Sequence, residues 1–364
     1  MRIPTSHRYA SLKSLTALCV LAAAGTLSTA PAYAQEMPET TFRVLGGYST
    51  LVQTQQVEKP FWTEEIPADS NGQIKVEYTN YDVMGLQEPQ LLRLTAQGVA
   101  DFSSTDVVKV AGDAPVLEGC DLTGIAPDIE TARKACEAWA PEMARVMEEK
   151  FNSKLLGLAP NPGLIFWCRS EVGGLADLKD KKVRVNSRTM ADMVTALGAS
   201  PVTTSFGDVV PSLQQGVFDC AITGSLAGNT AGWGEVSNYL LPVPINWSIY
   251  YQAVNLDTWN KMAPEVREFM EQKFVELDDA LWDIGAQANQ EGIDCNTGND
   301  PCTLGRKESM TLVPATDEDK QRIRQISEQV VLPAWAERCG KECASRWNET
   351  VGKVVGMTIN LDNL

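Results

Sequence analysis

KKVRVNSRTMADMVTALG, residues 181–198, sets a strand and a helix back to back. Alternation at a period of two puts Val183 and Val185 on one face of a strand, with Arg184 and Asn186 on the other. Ser187 is placed to cap the helix that follows, whose apolar residues Met190, Met193, Val194 and Leu197 recur at helical spacing until Gly198 stops it. A strand feeding straight into a helix is half of an α/β unit. Arg184 is the anomaly, because a guanidinium buried at mid-strand in a covered sheet costs several kcal/mol, on the order of a buried unpaired charge. Near the carboxyl end of its strand it instead points into the crevice where open α/β sheets bind ligands. There it can fork onto a carboxylate, and the N-terminus of the next helix adds positive potential. The plainer alternative is an ion pair with one of the chain's 47 acids.

Working outward, TFRVLGG (41–47) and IKVEY (74–78) alternate like strands, with a helix-compatible segment between them. GLQEPQLLRLTAQG (85–98) predicts a helix with Pro89 near its start, and VADFSST (99–105) a short buried strand. Strand, helix, strand, helix, strand predicts a mostly parallel sheet. The same ending recurs: QGVADFSST (97–105) lies over QGVFDCAIT (215–223), matching at Gln, Gly, Val, Asp and the final Thr. Two similar α/β lobes follow, with Thr105 and Thr223 facing one crevice from opposite sides. Beyond residue 258, a long amphipathic helix is predicted after Pro264, a loop at CNTGNDPC (295–302), and a last helix from about Asp317 interrupted at Pro333.

The first residues have the plan of a secretory signal peptide: Arg2, Arg8 and Lys13, an apolar run, then Ala32-Tyr33-Ala34, with cleavage expected after Ala34. Loss of those three cations takes the net charge from −16 to −19, a surface that repels nucleic acid and anionic membrane. The single histidine, His7, leaves with the leader, so a Ser-His-Asp triad is impossible. No G-x-S-x-G or H-E-x-x-H occurs. Neither a metal nor a cofactor is expected. Eight of nine cysteines remain, an even number in an exported chain, and eight allow on the order of a hundred pairings. The pairs expected are Cys120 with Cys136, Cys295 with Cys302 and Cys168 with Cys220, leaving Cys339 with Cys343, which continuous helix would aim poorly. Candidate pocket walls are Tyr48, Trp62, Trp167, Phe206, Trp233 and Trp247, each of which could equally be core.

Residues 174–224 resemble the substrate-binding proteins of TRAP transporters, the tripartite ATP-independent periplasmic systems, in their C4-dicarboxylate-binding branch. The resemblance rests on Asp177-Leu178, Lys182, Arg184-Val185, Ala196-Leu197-Gly198-Ala199, Pro201, Phe206 and the run Leu213 to Asp219. It implies a two-lobed periplasmic-binding-protein fold, each lobe a mixed, mostly parallel sheet flanked by helices, with a long hinge-spanning helix. Residues 35–161, with a return segment at about 250–290, would form lobe I; residues 162–249, with C-terminal helices at about 291–364, would form lobe II. The lobes would close over a small organic acid, mono- or dicarboxylate, and deliver it to membrane permease subunits. Arg184 would grip the carboxylate, with Asn186, Phe206 and Thr223 beside it and Tyr48, Thr105, Trp167 and Trp247 as further ligand contacts. A second arginine of sugar-acid binders falls near Leu164, which favours a monocarboxylate with an apolar or aromatic body. Two other classes share the shape: a secreted two-lobed enzyme using carboxylate or lysine chemistry, and a sensor-linked binding protein.

Overall fold

The computed structural model describes residues 37–362 and 364. The expected signal peptide and its expected cleavage site lie outside the described residues. Two mixed sheets organise the chain. The first uses β1 (Thr40–Gly46), β2 (Ile74–Asn80), β3 (Phe102–Asp106), β4 (Ser153–Ala159) and β10 (Tyr250–Asn255), in the order β2-β1-β3-β10-β4. The second uses β5 (Leu164–Cys168), β6 (Lys182–Val185), β7 (Ser200–Thr203), β8 (Cys220–Gly224), β9 (Tyr239–Leu241) and β11 (Thr311–Leu312), in the order β11-β9-β5-β8-β6-β7.

Each sheet holds three parallel strands next to an antiparallel one, and the repeat predicted from residues 97–105 and 215–223 occupies equivalent places. β3 runs parallel to β1 and antiparallel to β10; β8 runs parallel to β6 and antiparallel to β5. The equivalence extends to register. Val44 partners Phe102 and Leu45 partners Ser103, while Val183 partners Cys220 and Arg184 partners Ala221. Arg184 therefore occupies in the second sheet the position that Leu45 holds in the first.

Two segments cross between the sheets, 160–163 and 242–249, and they bond to one another: Asn161 N–H donates to the Trp247 carbonyl at 3.0 Å and Asn161 Nδ2 to the Ser248 carbonyl at 3.2 Å. The helix Pro264–Thr297 spans both sheets. Its Phe274, Leu277 and Leu281 pack with Phe42 and Phe102 of the first sheet, and Ala288 and Cys295 pack with Leu226, which follows β8. At Gly292 a Cβ would lie 2.4 Å from the Leu226 backbone nitrogen, so only glycine permits this approach. The predicted 295–302 loop starts later than the sequence implied. Helix continues through Thr297 because Asn296, a poor helix former, is fully buried and donates to the Ser225 carbonyl at 2.8 Å.

The interruption expected at Pro333 is a π-helical turn, Ser327–Val331, rather than a break; Pro333 then falls in the first turn of the next helix, where its missing N–H costs nothing. That helix ends at Cys339. Gly340, at φ 90°, breaks the chain before a new helix starts at Lys341, and this bend lets Cys339 reach Cys343. The other three disulfides join Cys120 to Cys136, Cys168 to Cys220 and Cys295 to Cys302, as the sequence suggested. The C-terminal helices touch both halves. Trp335 and Trp347 donate to the Pro115 and Gly119 carbonyls, and Arg338 pairs with Asp192 of the helix after β6.

Candidate functional site

Arg184 is 1 % exposed and stands at the carboxyl end of β6, where Ser187 Oγ accepts from Met190 N–H to cap the following helix. Its Nε–H donates to the Thr204 carbonyl at 3.0 Å and its Nη1 to the Ile222 carbonyl at 2.9 Å. The guanidinium lies 5.6 Å from the Trp233 ring centroid, a cation–π contact that orients it. Two carbonyls and a ring hold the group in place, yet no described carboxylate pairs with it, and the Nη2 hydrogens have no described acceptor. Burial pushes its pKa down to about 10, against the opposing pull of the more distant charges of Glu88 and Asp106.

The free side of Arg184 lines a cavity between the two sheets, with about 450 Å³ of atom-free space, mouth included. Five of the residues singled out from sequence meet there: Arg184, Asn186, Phe206, Thr223 and Tyr48. Asn186 Oδ1 is buried without a partner. Tyr48, from the loop after β1, meets Phe206, from the turn after β7, edge to face at 5.2 Å, so this contact joins the two halves across the mouth.

The other three do not line the cavity. Thr105 is fully buried on the far face of β3, because strand alternation gives the cavity to its neighbour Asp106. Trp167 stands one layer back, 6.0 Å from Trp233, and supports the ring that supports Arg184. Trp247 belongs to the crossing segment, where its backbone N–H donates to Asp121 and its indole to the Ala126 carbonyl.

The profile of the bacterial extracellular solute-binding proteins, family 7 (DctP), matches residues 49–338. The chain belongs to this family. Family 7 proteins are periplasmic solute receptors of TRAP transporters, binding proteins and not enzymes. Among curated relatives, the uncharacterized protein YiiZ of Salmonella typhimurium is 25% identical over 237 residues, 61% of this chain and 70% of YiiZ. Two solved structures share the fold, each with a TM-score of 0.75 and 18% identity. One is DctP7, a Bordetella pertussis extracytoplasmic solute receptor binding pyroglutamic acid, with 85% of this chain and 98% of that chain covered. The other is a TRAP periplasmic solute-binding protein from Desulfovibrio salexigens with bound orotic acid, with 86% and 99% covered.

In this family 7 receptor the cavity also holds residues that sequence reasoning missed: Glu88, Lys109, Asp106, Tyr81, Asn161, Ser248 and Tyr250. Asp106 had a signal, as the residue directly after the matched Thr105. Its carboxylate accepts from Val108 N–H at 3.1 Å and from Ser248 Oγ. Nearby Asp121 fixes the crossing segment, accepting from Trp247 N–H at 2.8 Å and Ile249 N–H at 3.1 Å.

Burial, with Asp106's charge adding, lifts Asp121 from 3.8 to about 7; burial lifts Asp106 to about 6. The native state thus keeps protons that the unfolded chain has released, so stability falls as pH rises from the ordinary carboxylate range to about 7. The melting temperature at fixed ionic strength is expected to fall from about pH 5 to about pH 8. A melting temperature that climbs across that interval contradicts the assignment.

Proposed function

We propose that this receptor captures a small organic acid with a single carboxylate between its two sheets and hands it to the membrane permease subunits of a TRAP transporter. One observation carries this reading: a buried guanidinium on the cavity wall, held by the Thr204 and Ile222 carbonyls, without a carboxylate partner among the described residues. A buried cation that is anchored but not neutralised is completed by an anionic ligand. Leu164 also lines the cavity and supplies apolar wall, which supports one anionic group on the ligand and not two. The two solved relatives bind pyroglutamic and orotic acids, each a ring with one carboxylate. The two sheets form the two lobes, closing by rotation about the paired crossing segments.

A thermal-shift screen against aliphatic, aromatic and hydroxy acids tests the reading. A ligand present at about a hundred times its Kd stabilises the folded state by about 2.7 kcal/mol, enough to raise the melting temperature measurably. The acid must also be recovered unaltered after prolonged incubation. Silence across all carboxylates, or turnover of the acid that binds, refutes the proposal.

A further inference from the structure

The two walls of the cavity differ in kind. The second-sheet wall presents Arg184. The first-sheet wall presents carboxylates: Asp106 at the end of β3, 2 % exposed, and Glu88 just before the helix Leu91–Ala96. Lys109, the cation on that wall, is already taken by Glu88 at 3.2 Å. Asp106 is fixed by Val108 N–H and Ser248 Oγ, one to each oxygen, and each oxygen keeps a second lone pair. Asn186 Oδ1 adds a buried acceptor with no donor. A second carboxylate on the ligand would meet like charge at this wall. A donor would be met by the spare lone pairs of Asp106 and by Asn186 Oδ1, which lacks a donor.

We infer that the ligand is a small monocarboxylate carrying a hydrogen-bond-donating nitrogen, its carboxylate on Arg184 and its N–H on Asp106, with Asn186 Oδ1 as a further acceptor. The inference rests on the reading of Arg184 as the carboxylate anchor and adds the chemistry of the other end. The shared chemistry, an N–H donor, comes either as a neutral lactam or as an ammonium.

Calorimetric titration of the full chain with ring acids of one size separates the cases: cyclopentanecarboxylate has no nitrogen, pyroglutamate a lactam N–H, and proline a charged amine. Glutarate supplies a second carboxylate. At least one nitrogen acid is expected to bind about tenfold or more tighter than cyclopentanecarboxylate, since the latter leaves a buried acceptor without a donor. Whichever of pyroglutamate and proline binds tighter identifies the form of the nitrogen. Asp106→Asn is expected to abolish that preference, with circular dichroism establishing that the variant folds. Should the variant not fold, the wild-type ranking decides alone. Equal binding of cyclopentanecarboxylate, a preference that survives Asp106→Asn, or tightest binding of glutarate each overturns the inference while the carboxylate anchor stands. If none of the four acids binds, this inference fails as well, and the anchor is then judged by the wider acid screen.

Discussion

Arg184→Ala is expected to weaken binding of whichever acid emerges from the thermal screen by about 3 to 5 kcal/mol, a loss of two to three orders of magnitude or more in affinity. The size of the effect follows from burial. The ligand carboxylate would leave water for a site where Arg184, 1 % exposed, is its counter-charge, and alanine would strand it there. Arg184→Lys keeps the charge but cannot hold the Thr204 and Ile222 carbonyls and fork onto the ligand together, so it is expected to recover only part of the loss. Titration calorimetry of both variants, with circular dichroism to establish folding, reads the result. A folded alanine variant of unchanged affinity ends the argument for carboxylate capture.

The second large effect concerns stability. Cys168 and Cys220 are direct partners on β5 and β8, and their bond closes a loop of 52 residues. Chain entropy assigns such a cross-link about 4 kcal/mol, against about 2 kcal/mol for the 7-residue loop closed by Cys295 and Cys302. Double alanine variants of each pair, unfolded in guanidinium chloride, are expected to lose stability in that order. The Cys168/Cys220 variant should lose affinity too, because β8 also supplies the Ile222 carbonyl that holds Arg184. A larger loss from the short loop would mean that strain or packing, and not loop entropy, governs these bonds.

Local pattern made much of the architecture legible before any coordinates. Val183 and Val185 alternate, Ser187 caps, and two nine-residue stretches 118 positions apart, alike at five positions, run into matching strands in matching register. Arg184 stood out because a buried strand has no use for an unpaired charge. What stayed hidden is long-range. Asp121 and the Trp247 backbone it binds are 126 residues apart, and Glu88 and Lys109 reach the cavity from 3-10 turns too short to show a periodicity. Aromatic type could not separate Phe206, at the mouth, from Trp167, one layer behind it. Thr105 was misplaced by one residue, the smallest step that moves a strand side chain from one face to the other.

Leu45 and Arg184 hold corresponding places in two nearly equal halves, one an aliphatic group and the other a cation. That inequality, with the carboxylates of the facing wall, makes the two sides of the gap unlike. If Arg184 takes the ligand's carboxylate, as proposed, a guest has only one way round, head toward β6.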